Sequence, residues 1–190
     1  MFIPLIFRIK KNCLLNPKNQ ALSFEGQVYT YNELTKRSNQ FAYYLESKGI
    51  GKNTVVAIIS NNYLGRIVSI IALWKLGAAY LPIETSYPLT RINFILDDSK
   101  VSFAILDKKN EESNFFNSKS ISSIFLEDDS NEISTFPTND LQDYSEHTDI
   151  AYIAYTSGST GSPKGAIVTQ SNIASIYHAW EEVYKLSSTD

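Results

Sequence analysis

Apolar positions along this chain follow two rhythms: short runs of alternating or continuous apolar residues, and longer stretches repeating every three to four residues. Ala21–Phe24 and Gln27–Thr30 flank Glu25-Gly26 and predict a small hairpin with Gly26 near its turn. Thr30 followed by Glu33 is a capping box, in which hydroxyl and carboxylate each satisfy a free backbone N–H at a helix start. The helix predicted there carries Leu34, Ser38, Phe41, Ala42 and Leu45 on one stripe and ends at Gly49, as a left-handed cap requires. Thr54–Ile59 is a continuous β-branched run, suited to a strand covered on both faces of a parallel sheet. Asn61-Asn62 should cap a second helix with Tyr63, Ile67, Ile70, Ile71 and Trp74 on its buried face, stopping at Gly77. A short strand at Ala79–Leu81 follows. Ser86, with Pro88 just inside, is then expected to open a third helix bearing Leu89, Ile92, Ile95 and Leu96, and Ser102–Leu106 returns as a strand.

Strands alternating with helices in this order predict an α/β fold, a mostly parallel sheet flanked by helices and joined by right-handed crossovers. Residues 107–149 interrupt the alternation. They are rich in Ser, Asn, Asp and Glu, contain one plausible strand at Ser122–Leu126, and are expected to form a solvated surface excursion with an edge strand. Apolar β-sequence resumes at Ile150–Tyr155, followed by a polar loop and a short strand at Ala166–Thr169. A helix from near Ser171 then carries Ile173, Ile176, Tyr177, Trp180 and Tyr184 at helical spacing. The opening Met1–Phe7 is apolar but short, contains Pro4 and has no basic segment before it. It therefore predicts a helical turn docked on the domain, not a signal peptide. With no run of 18 apolar residues, no membrane span is expected.

Composition narrows the chemistry. The 190 residues are 43% apolar and 19% charged, as in an ordinary globular domain, and the net charge of −3 offers no basic stripe for a nucleic acid. One cysteine, Cys13, excludes an internal disulfide or a cysteine-rich zinc site, and only His147 and His178 are available as histidine ligands. A reducing, cytoplasmic setting is the expectation.

The segment Thr156–Gly165 stands apart: it holds three of the eight glycines, five hydroxyl residues and Lys164. Glycines let backbone N–H groups approach phosphate oxygens, hydroxyls donate hydrogen bonds and a lysine supplies positive charge. Its position, at the carboxyl end of a strand, is where open α/β sheets collect ligands. It is not a Walker A loop, since Pro163 stands where the second glycine belongs and Gly165 where a Ser or Thr should follow Lys164. On composition alone, a Ser/Gly-rich surface loop with a solvated lysine is an equal alternative.

The ordered string Tyr155-Thr156-Ser157-Gly158-Ser159-Thr160-Gly161-Ser162-Pro163-Lys164-Gly165 closely resembles the phosphate-binding signature of the AMP-forming adenylation superfamily, which includes acyl-CoA synthetases, luciferases and the adenylation domains of nonribosomal peptide synthetases. Two further segments agree. Thr30–Leu34 resembles the family's T-Y-x-E-L segment, and Leu73–Ile83, continuing through Tyr87, Pro88 and Arg91, resembles the L-K-A-G-x-A-Y-x-P-I/L-D-x-x-Y-P-x-x-R core of the peptide-synthetase branch.

The resemblance implies the N-terminal portion of the large subdomain of an adenylate-forming enzyme, incomplete, with residues 1–15 as a lead-in and 16–190 as the adenylation segment. It implies ATP and Mg²⁺ as cofactors, the Mg²⁺ ligands lying outside this chain, and an amino acid or other carboxylate as substrate. The carboxylate attacks the α-phosphorus, pyrophosphate leaves, and the acyl group passes to a carrier-protein thiol. Thr156, Ser157, Gly158, Ser159, Thr160, Gly161 and Lys164 would then hold the β- and γ-phosphates, with Lys164 stabilising charge on departing pyrophosphate. Alone, the chain is expected to be inactive, because the residues for adenine, ribose, metal and substrate side chain come later in such proteins.

Two positions depart from the pattern: Glu84 replaces the usual Asp, and Gln170 stands where many relatives carry His. Tyr80, Glu84, Tyr87 and Arg91 are expected to brace a strand-to-helix connection, and His178 to be a partly exposed helical residue. An acyl- or aryl-CoA ligase fragment and a non-catalytic phosphate-binding or interaction remnant are the alternative readings.

Overall fold

The structure is a computed structural model that describes residues 3–109, 116, 118–142, 144–156 and 163–185. Six helices and eight strands follow one another as α1 (Leu5–Leu15), β1 (Gln20–Phe24), β2 (Gln27–Thr30), α2 (Tyr31–Ser47), β3 (Val55–Ile59), α3 (Tyr63–Lys75), β4 (Ala79–Pro82), α4 (Leu89–Ser99), β5 (Phe103–Leu106), β6 (Ser122–Phe125), α5 (Ser130–Ser134), β7 (Ile150–Thr156), β8 (Lys164–Thr169) and α6 (Gln170–Tyr184). These counts refer to the described residues.

The first two strands form the expected antiparallel hairpin, in which Glu25 (φ 49°) and Gly26 (φ 77°) both take left-handed backbone, as a type I′ turn demands. Thr30 caps α2 as read: its hydroxyl accepts from the Glu33 N–H at 3.2 Å while the Glu33 carboxylate accepts from the Thr30 N–H at 2.8 Å. The other end closes at Gly49, φ 87°, where the Gly49 N–H donates to the Glu46 carbonyl at 2.9 Å and the Ile50 N–H to the Leu45 carbonyl at 3.1 Å. That is a Schellman closure. Because the left-handed backbone there penalises any Cβ, Gly49→Ala is expected to lower stability by about 1 kcal/mol, measurable by urea unfolding.

The remaining six strands form one sheet in the order β6-β5-β3-β4-β7-β8, parallel throughout except for β8, which runs antiparallel to β7. Period-two alternation places Val56 and Ile58 of the central strand in one core, with Phe41 and Leu45 of α2 and Leu73 of α3. Ala57 and Ile59 point into the opposite core, with Leu81, Leu106 and the Ile92, Ile95 and Leu96 face of α4. The helix stripe Leu34, Ser38, Phe41, Ala42 and Leu45 is buried as expected, and α1 docks through a fully buried Ile6 along a longer helix than one turn.

Five sequence expectations are corrected. On α3, Tyr63 is 66% and Ile67 41% exposed, while Val68, Ser69, Ile71, Ala72, Leu73, Trp74 and Lys75 are buried. The C-terminal half of α3 is sandwiched between α2 and the sheet and so is covered nearly all round, while its first turn projects outward, Tyr63 lying 6.3 Å from the Phe24 ring. Ser86 does not cap α4; Pro88 holds that place without a side-chain bond, and its carbonyl accepts from the Arg91 and Ile92 amides. Leu89, expected on the buried face of α4, is exposed.

The 107–149 excursion does supply the edge strand β6, parallel to β5, but it is more than solvated surface. It contains α5, it buries Leu141, and Ile133 and Phe136 pack on the first core. Lastly, α6 buries only Gln170 and Ala174; Ile176, Trp180 (56%) and Tyr184 of its apolar stripe are exposed, since the helix meets α1, β7 and β8 on one side alone. No helix among the described residues is long and apolar enough to cross a membrane.

Candidate anion-binding site

Parallel strand β7 runs beside β4 and reaches its carboxyl end at Thr156. The chain returns as β8, so Thr156 faces Lys164 and Tyr155 faces Gly165 in the hairpin register. Strand β8 thus begins two residues before the expected Ala166, and the polar loop is closed at its base by the Thr156–Lys164 pair, both exposed. Ser157, Gly158, Ser159, Thr160 and Gly161 lie outside the described residues.

Gly165 has a local reason. A Cβ there would stand 3.2 Å from the Tyr155 ring and 3.3 Å from Ile153 Cγ2, tighter than ordinary contact. Absence of a side chain lets the Tyr155 ring lie across the opposing strand, and the Tyr155 hydroxyl donates to Asp98 near the end of α4. Burial, and then this bond to a carboxylate, push the phenol well above its ordinary pKa.

Gln170 belongs elsewhere. Thr169 pairs with Ile150 at the opposite end of the hairpin, so Gln170 sits about 20 Å from Lys164 by strand rise. It is 1% exposed, its N–H donates to the Asp149 carbonyl at 2.9 Å, and its Oε1 has no hydrogen-bond partner among the described residues. Its side chain therefore lies far from the Thr156–Lys164 pair at the base of the loop.

Tyr80, Glu84, Tyr87 and Arg91 brace the β4–α4 connection as expected. The Arg91 guanidinium stacks 4.1 Å over the Tyr87 ring, Glu84 pairs with Arg66 at 3.3 Å, and Tyr80 packs between Trp74 and Tyr152. Burial raises the Tyr80 phenol to about 12. His178 is half-exposed beside Glu181 and Glu182.

A second concavity, of about 700 Å³, opens at the carboxyl ends of β3 and β5 and is lined by Ile59, Asn61, Thr85, Tyr87, Leu106 and Asp107. Asp107 is already engaged there by the Ser60 hydroxyl and, at 2.8 Å, by the Asn61 N–H. Sequence reading gives Asn61 and Tyr87 only structural roles and singles out neither Thr85 nor Asp107, although the place of Asn61 and Asp107 just after two parallel strands is the signal that could have found them. Among the described residues no group of three or more His, Cys, Asp or Glu could hold a metal ion.

A mostly parallel sheet ending in an antiparallel hairpin, whose base presents a hydroxyl and a lysine at a strand's carboxyl end, defines an α/β domain with a candidate ligand site at the place where open sheets collect ligands. The family is also defined: the chain belongs to the AMP-binding enzyme family, whose model matches residues 9–190.

Among curated proteins the chain is 34% identical to bacitracin synthase 2 of Bacillus licheniformis and 34% identical to gramicidin S synthase 2 of Brevibacillus brevis. Both matches cover 92% of this chain, which spans only 6% and 4% of the length of those relatives. Two solved structures share the fold. One is a nonribosomal peptide synthetase, with TM-score 0.83 at 19% identity over 98% of this chain and 19% of that one. The other is o-succinylbenzoate CoA synthetase from Bacillus subtilis in complex with its acyl-adenylate intermediate, with TM-score 0.83 at 22% identity over 100% of this chain and 48% of that one.

Proposed function

We propose that residues 16–190, with 1–15 as their lead-in, are the N-terminal portion of an amino-acid adenylation domain, and that the Thr156–Gly165 loop holds the β- and γ-phosphates of ATP. The observation that carries this reading is the closure of that loop by Thr156 and Lys164 at the carboxyl end of β7. A hydroxyl donor and a mobile ammonium at one strand end suit the oxygens of a phosphate tail. Family membership and the 34% identity to peptide synthetases favour an amino acid as the carboxylate, ahead of a CoA-ligase substrate.

In this reaction the nucleotide supplies the electrophilic α-phosphorus and pyrophosphate as leaving group. The chain's own contribution is electrostatic. Lys164 lowers the repulsion met by an incoming carboxylate and stabilises charge that grows on the leaving oxygens, while the hairpin fixes the backbone from which its side chain reaches. Magnesium, which commonly takes only one or two protein carboxylates besides phosphate and water, would supply further charge neutralisation at the phosphates. Completion of the reaction, including transfer to a carrier thiol, needs groups beyond these elements.

The test is amino-acid-dependent ATP–pyrophosphate exchange, run with the 190-residue chain and with the chain extended by whatever coding sequence follows it in its gene. Exchange that depends on one amino acid in the extended protein, and near-absent exchange in the chain alone, is the expected result. Exchange driven only by an aryl or fatty acid would transfer the reading to a CoA ligase. No exchange by either protein, together with no ATP binding, would end it.

A further inference from the structure

Strand β8 is the last strand of the sheet among the described residues, paired only with β7, and Lys164 is its first residue. An edge strand's first residue normally frays, because one neighbour alone holds it. Here the rung just below is reinforced. The Tyr155 ring covers Gly165 so closely that a Cβ would reach 3.2 Å from its Cζ atom. The same side chain donates its hydroxyl hydrogen to the Asp98 carboxylate, 57 positions away in sequence. Asp98 rides on α4, whose Ile92, Ile95 and Leu96 are embedded in the second core, so its position is inherited from the packed body of the domain. The chain of contacts runs from core to α4, to Asp98, to Tyr155, to Gly165, and the next rung is Thr156–Lys164.

Resting on the phosphate-loop reading above, we infer that Tyr155 and Asp98 form a positioning latch that presets the Thr156–Lys164 base of the loop for a phosphate tail. Neither residue is a ligand. The Asp98 carboxylate would repel a phosphate, and the Tyr155 hydroxyl is turned to Asp98. Their effect passes through the register of the hairpin: with the ring clamped over Gly165, the Lys164 backbone starts from one place, and less ordering is left for the ligand to impose.

The experiment compares wild type with Tyr155→Phe, Asp98→Ala, Asp98→Asn and the Tyr155→Phe/Asp98→Ala double variant in the full 190-residue chain. Phe keeps the ring over Gly165 and removes only the hydroxyl; Asn keeps an acceptor. Amide hydrogen exchange at Thr156, Lys164 and Gly165 is read in the absence of ligand, and binding of inorganic tripolyphosphate by calorimetry. Tyr155→Phe and Asp98→Ala are each expected to speed exchange at these amides and to weaken tripolyphosphate by about three- to tenfold, the size of one hydrogen bond. The double variant should be no worse than either single one, Asp98→Asn should retain most of both properties, and exchange at Val56 and Ala57 in the central strand should not move. Unchanged exchange at the hairpin base in Tyr155→Phe, or additive losses in the double variant, would overturn the latch. If exchange responds as expected but wild type itself binds no tripolyphosphate, the phosphate reading fails and the positioning role falls with it, and the separation of the two readouts identifies which step was wrong.

Discussion

Lys164→Ala is expected to lower amino-acid-dependent ATP–pyrophosphate exchange by about a hundredfold or more in the extended protein, and to leave the fold untouched. The size follows from what the side chain is asked to do. One preorganised donor aimed at developing charge contributes on the order of 100- to 1,000-fold to such reactions, because the group is already in place when the charge appears. Structural damage is not expected, since Lys164 is exposed at the start of an edge strand and its backbone, not its amine, makes the hairpin pairing with Thr156. Lys164→Arg should recover part of the loss: the charge returns, but a planar guanidinium replaces a compact ammonium. Steady-state exchange at saturating amino acid, with ATP varied, gives the measurement. Full activity in Lys164→Ala would remove the lysine from the mechanism and, with it, the reason for placing the phosphate tail at this loop.

The second large effect concerns stability. Lys75→Ala is expected to destabilise the domain by about 3–5 kcal/mol, read as a fall in the urea midpoint at constant slope. Lys75 is only 2% exposed, an unusual place for a lysine. Its amine donates to the Ser38 hydroxyl at 3.1 Å and to the Asn39 side-chain oxygen. Asn39 in turn donates its amide hydrogens to the Thr138 carbonyl at 2.8 Å and to Asp140 at 3.1 Å. One amine thus ties α3 to α2, and through Asn39 to the returning end of the 107–149 excursion. Truncation opens a cavity the length of the lysine stem and strands buried acceptors, two costs that add. Lys75→Met, which refills the stem but not the amine, should recover about half of the loss. A change below about 1 kcal/mol in Lys75→Ala would show that solvent or a rearranged neighbour satisfies the network, and that the buried amine is dispensable.

Both predictions concern residues that a reader of the sequence would treat very differently. Lys164 announces itself, because glycines and hydroxyls crowd around it in one ordered string. Lys75 does not: it lies in a segment notable for the resemblance of its neighbours to a known pattern, and nothing local says that this lysine is buried. The same division runs through the fold. The capping box at Thr30 and Glu33, the left-handed closure at Gly49 and the turn at Glu25-Gly26 were all legible, because each involves groups within about five residues of one another. The two-faced burial of Val56, Ala57, Ile58 and Ile59 was legible too, since an unbroken apolar run cannot sit on a half-solvated strand.

Which face of a helix is covered is another matter. On α3 the apolar residues are so numerous that periodicity leaves several faces open, and the choice among them was made by α2 on one side and the sheet on the other. On α6 the periodicity was clear, yet Ile176, Trp180 and Tyr184 are exposed, because a stripe is buried only where something packs on it. Gln170, close in sequence to the loop, is carried to the far end of the hairpin by an antiparallel return that no local pattern signals.

From the sequence alone came the α/β order, the caps and turns, the central strand and the loop of glycines, hydroxyls and lysine, since these rest on short-range sterics, hydrogen bonds and period. Tertiary structure alone decided that β8 runs back against β7, that Tyr155 reaches Asp98, that Lys75 is buried and that Thr156 and Lys164 face one another. Each of these joins groups from different elements, and their free energy exists only when the packed core has brought those elements together.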